Sequence, residues 1–250
     1  MFTAYAGYFD RSESSELTIV GGWLSTTDKW EKFDADWRIA LAKAEVPYFH
    51  MKEFAPSAGE FASWKGYETK RRNLIQRLVS IIGDYVEVGV CMVVEHVNFE
   101  KANSVYELEE TMGNPYVICG KLCVERANEW LRVNRGVPFA LRYIFEDGDE
   151  GKSRLLRALA NVPSVSFEPS RDLPGRVGLR PLQAADFVAW EINKAFRTVG
   201  EMQPLHKYRR SFLALQRAVP HVWDQMTYQN LINLCNLGKV PRRDRGQARA

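Results

Sequence analysis

Asp10, Glu146 and Asp186 occupy settings that set them apart from ordinary surface carboxylates. Asp10 closes the strand-like run that begins at Thr3, and Glu146 closes the run that begins at Pro138. Open α/β sheets release side chains at strand ends, where they can converge. Either acid alone reads as an ordinary turn residue. Asp186 carries more information. Leu182 lies four residues before it, Ala189 three after and Trp190 four after, which places a carboxylate on an apolar helical stripe. A buried charge normally has a partner or a metal; the plain alternative is a structural group that pairs with a buried arginine or caps a loop.

Phe49-His50-Met51-Lys52-Glu53 adds an imidazole and a carboxylate one helical turn apart. Such a pair can shuttle a proton, bind metal or assist a leaving group, or it can be a satisfied loop histidine beside a solvated acid. Together, Asp10, Glu146 and Asp186 form a candidate acidic triad with Glu53 as a fourth oxygen ligand. Oxygen donors suit hard cations, Mg²⁺ or Mn²⁺. Two such ions roughly 4 Å apart activate water and stabilise the leaving oxygen of a phosphodiester. The expected catalytic set is therefore Asp10, His50, Glu53, Glu146 and Asp186.

Two other signals do not hold. Gly148-Asp149-Glu150-Gly151-Lys152-Ser153 imitates the end of a phosphate-binding loop, but Glu146 stands where the first glycine is required. Ser12, Ser14 and Ser15 lie near Asp10 without a Gly-x-Ser-x-Gly elbow.

The elements that must position these residues alternate between strand-like and helix-like, which favours α/β. Thr3 to Asp10 and Leu17 to Leu24 read as an antiparallel hairpin. A helix starts within Ser25–Asp28 and shows Trp30, Phe33, Trp37 and Leu41 at helical spacing. A Gly/Pro/Ser-bearing loop runs through Gly66, then Leu74, Leu78 and Ile82 mark a second helix. Val86 to Val94 is a strand with both faces apolar, hence internal. Residues 98–114 read as a polar surface excursion, partly helical. Pro115 to Val133 is a long helix, Pro138 to Glu146 a strand, Lys152 to Ala160 a helix, Val165 to Phe167 a short strand. Pro181 to Phe196 is a helix with proline in its first turn. Arg210–Ala218 and Tyr228–Leu234 read as C-terminal helices.

With 250 residues, 46% of them hydrophobic and 26% charged, the chain can bury a sizeable core. One domain over residues 1–238 and a basic flexible tail over 239–250 are expected. That tail holds five basic residues against one acid, which exceeds the net charge of +3, so the body is slightly acidic and unlike a bulk polycation. The tail can grip phosphate or simply fray in solvent. Cys91, Cys119, Cys123 and Cys235 lack metal-site spacing and read as buried thiols of a reducing compartment, with a Cys119/Cys123 metal site as the alternative. No apolar run approaches the ~20 residues of a membrane span, and the first residues lack a signal-peptide profile; a cytoplasmic location is expected.

Four motifs in order resemble one family. Tyr8-Phe9-Asp10 with its polar turn, Phe49-His50-Met51-Lys52-Glu53, Gly113-Asn114-Pro115-Tyr116 with Cys119, and Leu182-Gln183-Ala184-Ala185-Asp186 resemble the domain of unknown function 3800 family, which has a ribonuclease-H-like fold. The resemblance implies a mostly parallel central sheet with an antiparallel leading hairpin, flanked by helices. It also implies acids near the sheet's centre: Asp10, Asp186 and one after the late strand. Glu146, Asp147 and Asp149 compete for that last place, and Glu146 is favoured because strand alternation ends there. Members commonly read Asp-Glu-Ser-Gly at the first motif; here Asp10-Arg11-Ser12-Glu13 puts a base where an acid is usual, which would impair the site or shift the role to Glu13.

These observations point to a metal-dependent nuclease acting on RNA or DNA, with Lys207, Arg209 and Arg210 beside Tyr208 and Phe212 as a further nucleic-acid contact. The rival is a catalytically silent module that binds nucleic acid or protein on the same fold. A third reading is a hydrolase of a small phosphorylated metabolite, with the loop from Phe54 to Lys65 (Phe61 and Trp64) lining a smaller pocket.

Overall fold

A computed structural model describes residues 3–136, 139–148, 150–199 and 207–243. Strands β1 (Thr3–Glu13) and β2 (Leu17–Thr26) form the leading hairpin. Asp10 pairs with Gly21, and pairing runs on to Glu13 and Thr18. Asp10 therefore lies inside β1 rather than at its end, because the hairpin keeps its ladder for three more residues. Thr26 caps helix α1 (Thr27–Ala44) by accepting from the Lys29 N–H, and the helix buries Trp30, Phe33, Trp37 and Leu41.

Next come a short helix α2 (Met51–Phe54) and a 3₁₀ turn (Gly59–Trp64). Phe54, Phe61 and Trp64 pack edge to face, with ring centroids 5.1 Å and 5.2 Å apart, and Phe49 closes the group. Phe61 is fully buried. The loop from Phe54 to Lys65, expected to line a smaller pocket, is mostly aromatic core, since four large rings gain more from one another than from solvent; of these rings Trp64 also lines a cleft of about 560 Å³ between α1 and the following helix.

Helix α3 (Glu68–Tyr85) leads to β3 (Val88–Glu95), buried on both faces up to Glu95. Helices α4 (His96–Asn103) and α5 (Leu108–Met112) follow. The excursion expected to be polar surface buries Phe99, Ala102, Tyr106 and Leu108, one apolar side chain every few residues. Helix α6 (Pro115–Arg135) has Asn114 as its cap and proline in its first turn. The rest comprises β4 (Phe139–Glu146), α7 (Lys152–Ala158), β5 (Val165–Glu168), α8 (Arg180–Val199), α9 (Arg210–Ala218), β6 (His221–Met226) and α10 (Tyr228–Leu237).

The sheet order is β5-β4-β1-β2-β3-β6. β2 is antiparallel to β1 and β3, whereas β4 runs parallel to β1, β5 to β4 and β6 to β3. Only β2 opposes the other strands. This α/β arrangement, a mixed sheet with an antiparallel leading hairpin and helices on both faces, is ribonuclease-H-like. One face is covered by α1, α3, α8 and α9, the other by α4, α6 and α10. Strand β6 had no clear sequence signal: His221-Val222-Trp223-Asp224-Gln225-Met226 mixes polar and apolar residues because it is an edge strand, paired to β3 alone.

The chain after α10 is docked rather than free from Lys239 on. Val240 is buried, Arg242 donates to the Tyr106 hydroxyl, and Arg243 binds Asn103 and Glu110. The basic tail expected over 239–250 thus has its first five residues bound, and 244–250 lie outside the described residues. The four cysteines are free and buried; Cys119 and Cys123 point their thiols at the Thr18 and Val20 carbonyls, with no metal-ligand group around them among the described residues. No helix among the described residues is long and apolar enough to cross a membrane.

Helix α8 crosses β1 and β2 where Gly21 sits. A Cβ there would stand 2.9 Å from the Cys91 Sγ and 3.3 Å from the Ala189 Cα. The missing side chain lets α8 approach the strand that pairs with Asp10. Gly21→Val should destabilise the chain by about 1–3 kcal/mol through overpacking, measured by urea unfolding. An unchanged midpoint would show that α8 does not depend on this contact.

Candidate active site

Parallel pairing of β1 with β4 runs to Phe9 opposite Phe145, so the next residues, Asp10 and Glu146, lie at the same level where these two strands part, each still paired on its other side. Asp186 comes from the second turn of α8 above them. Asp10, Glu146, Asp186 and His50 line one cleft of about 570 Å³. Its other walls carry Lys52, Trp190, Asn193, Lys194 and Arg197, with Arg11 and Glu13 from the end of β1.

Each acid is oriented by a specific donor. Asp10 accepts from the Arg11 N–H at 2.7 Å. Glu146 accepts from the Ser170 hydroxyl. Asp186 accepts from the Met51 N–H at 2.6 Å. Burial pushes the Asp186 carboxyl up to about 7; His50 and the Met51 N–H oppose this, while Glu146 and Glu53 add to it.

His50 lies between two carboxylates, with Nε2 3.8 Å from Asp186 Oδ1 and Nδ1 3.5 Å from Glu53 Oε1. Both are ion-pair distances for a protonated ring, and Nδ1 has no hydrogen-bond partner among the described residues. Glu53 itself is not on the cleft wall. Its carboxylate accepts from the Tyr48 hydroxyl at 3.0 Å and the Glu60 N–H at 3.3 Å, and Arg171 stands 3.8 Å away. Burial raises its carboxyl, but the Tyr48 and Glu60 hydrogen bonds and nearby His50 outweigh that and leave it below the ordinary value. Its oxygens are occupied by protein donors, so Glu53 is placed to steady His50 rather than to complete a metal shell.

Gln183, one turn before Asp186, explains why the His50 segment stays in place. Its Oε1 accepts from the Trp37 indole and the Phe49 N–H, both at 3.0 Å, and its Nε2 donates to the Ser170 carbonyl at 2.7 Å. The motif Leu182-Gln183-Ala184-Ala185-Asp186 signalled Gln183 without revealing these partners.

Of the three acids after β4, Asp147 is paired with Lys152 at 2.7 Å and Arg176 at 2.6 Å, and the Lys152 and Arg176 hydrogen bonds hold it down to about 2. It is a structural ion-pair member. Asp149 lies outside the described residues. Arg11 pairs with Glu13 at 3.1 Å and lies 5.2 Å from the Tyr116 ring. The patch expected around Lys207 is largely committed elsewhere: Arg209 pairs with fully buried Glu191 at 3.1 Å, and Tyr208 stacks on Phe212. Trp190, Lys194 and Arg197 were not singled out as ligand contacts, although they follow Asp186 by four, eight and eleven residues, the spacing of one helix face.

The carboxylates of Asp10, Glu146 and Asp186, from β1, β4 and α8, are oxygen donors of the kind a hard cation takes, and they line one cleft. Among the described residues no group of three or more His, Cys, Asp or Glu side chains is placed to hold a metal ion. A cation here would keep water in several positions, as Mg²⁺ commonly does.

No family model matches the sequence, and no curated protein does. The four ordered motifs remain a resemblance. Among solved structures the chain is similar to Bst-RNase HIII crystallised with Mn²⁺, at 12% identity and a TM-score of 0.39. The match covers 86% of this chain and 65% of that one, so this chain spans about two thirds of its length. A likeness at that level carries no argument about activity.

Gln183→Leu should cost on the order of 3 kcal/mol, because it strands the Trp37 N–H, the Phe49 N–H and the Ser170 carbonyl; a loss under 1 kcal/mol in urea unfolding would contradict the buried network. For Asp186, the native carboxyl keeps its proton between about pH 4 and 7 while the unfolded chain releases it. Stability from this group therefore falls as pH rises through that window. Asp186→Asn should gain stability relative to wild type, by roughly 2–4 kcal/mol at pH 8 in EDTA and by little at pH 4. A stability difference that does not change with pH would contradict the raised carboxyl.

Proposed function

We propose that the chain is a divalent-cation-dependent hydrolase of nucleic-acid phosphodiesters, a nuclease. The observation that supports it is the meeting of Asp10, Glu146 and Asp186, far apart in sequence, on one cleft whose rim carries Lys52. Asp10, Glu146 and Asp186 would hold Mg²⁺ or Mn²⁺, which supplies Lewis acidity at the phosphate and an activated water. His50 faces the same space and, when protonated, serves as a proton donor to the leaving oxygen. Glu53 and Asp186 hold the ring from either side. Lys52 contributes positive charge toward a phosphate. Kinship with the domain of unknown function 3800 family belongs to the same proposal, since its first, second and fourth motifs supply Asp10, His50 and Asp186.

The second reading, a silent binding module, has its own support. The acids form no ready three-ligand group among the described residues, and Arg11 replaces an acid usual in the resembling family. Labelled single- and double-stranded DNA and RNA, incubated with the full chain and Mn²⁺, separate the two. Cleavage that stops in EDTA and falls roughly a hundredfold or more in Asp10→Asn and Glu146→Gln is expected. A matching loss of Mn²⁺ binding, followed by electron paramagnetic resonance, should accompany it. Cleavage unaffected by both substitutions removes this site. Binding without cleavage of any substrate establishes the silent module.

A further inference from the structure

Beyond the acids, the cleft follows α8. Trp190, Asn193, Lys194 and Arg197 all line it, and all lie C-terminal to Asp186 on the same helix. At 1.5 Å per residue, Lys194 stands about 12 Å and Arg197 about 16 Å along the axis from Asp186. Both side chains are exposed. Arg197 has Glu16 at 3.8 Å, a surface pair worth little and readily exchanged for a phosphate. These cations are too far along the helix to serve the phosphate at the acids. They suit other phosphates of the same molecule, at a separation of about four nucleotides of stacked strand at ~3.4 Å each.

Asn193 is the independent sign of a ligand. It is only 6% exposed and lines the cleft, yet among the described residues its buried Nδ2 has no hydrogen-bond partner. A buried donor left unpaired is costly, a cost that an acceptor atom in the cleft removes once the amide turns to meet it.

We infer that this face of α8 is a track for a polynucleotide strand: Lys194 and Arg197 hold backbone phosphates several nucleotides from the scissile bond, and Asn193 donates to an acceptor of the strand on the side of Lys194 nearer the acids. The inference rests on the nuclease reading and sharpens it. It makes chain length the basis of selection, so a polynucleotide is bound and a small phosphorylated metabolite is not.

The test is binding of fluorescein-labelled oligodeoxynucleotides of two, four, eight and twelve nucleotides by anisotropy, with Ca²⁺ in place of Mn²⁺ to limit cleavage. Wild type should gain at least tenfold in affinity from two to eight nucleotides and little beyond. Lys194→Ala/Arg197→Ala, checked for folding by circular dichroism, should lose most of that gain. The slope of log K against log salt should become shallower by about one to two. Asn193→Ala should weaken the longer strands severalfold and leave the salt slope alone, a split that mere loss of folding does not produce. If wild type gains with length and the double variant gains equally, the track is overturned while the nuclease reading stands. If wild type binds all lengths equally, chain-length selection is overturned. If it neither binds nor cleaves any probe, both readings fall.

Discussion

Everything at the candidate site hangs on two side chains of α8 that grip the backbone on either side of His50. Gln183 accepts the Phe49 N–H and Asp186 accepts the Met51 N–H. An extended segment entering a four-residue helix has little of its own to hold it. The two acceptors supply that hold from a long helix packed on β1 and β2. Gln183 extends the same network further. Through Ser170 it reaches the residue whose hydroxyl donates to Glu146, and through Trp37 it reaches α1. One buried amide, with all its partners inside the protein, thus couples the positions of His50, Asp186 and Glu146.

That network gathers acids against their mutual repulsion. Burial already disfavours charge on Asp186, and Glu146 and Glu53 disfavour it further. Left alone, such a cluster relieves itself by keeping a proton. Among the described residues no arginine compensates Asp186, whereas elsewhere on the same helix the half-exposed Arg209 neutralises buried Glu191. Two buried acids on α8 therefore have different fates. Glu191 is matched by a cation and a hydroxyl within the protein, whereas Asp186 faces an imidazole, other acids and an open cleft.

Much of this was legible in the residues. Period-two and helical spacing located β1 to β4 and the long helices, because each buries several apolar side chains on one face, while β5 buries Phe167 alone. Asp186 stood out because a carboxylate on an apolar stripe is costly without a reason. Other features were hidden for physical causes. β6 pairs on one side only and so needs no strong apolar pattern. The polar run at 98–114 hides four core residues among many solvated ones. The role of Gln183 depends on Trp37, Phe49 and Ser170, partners from three separate stretches of chain that no local pattern relates. Glu53 and Asp147 look alike to Glu146 in sequence, and only their hydrogen-bond partners distinguish them: a tyrosine and a backbone amide for one, a lysine and an arginine for another.

Asp186 also shows why structural and chemical duties need not compete in one side chain. A carboxylate has two oxygens with about four lone-pair positions. Oδ2 is taken by the Met51 N–H, whereas Oδ1 faces His50 at a distance too long for a hydrogen bond. The first oxygen fixes the orientation of the group, so the second is aimed without further support. A ligand that is tethered through one oxygen loses little freedom when the other meets a cation, which favours binding by preorganisation. The hydrogen bond that gives Asp186 a purely architectural explanation is thus also what would make its remaining oxygen a well-placed ligand.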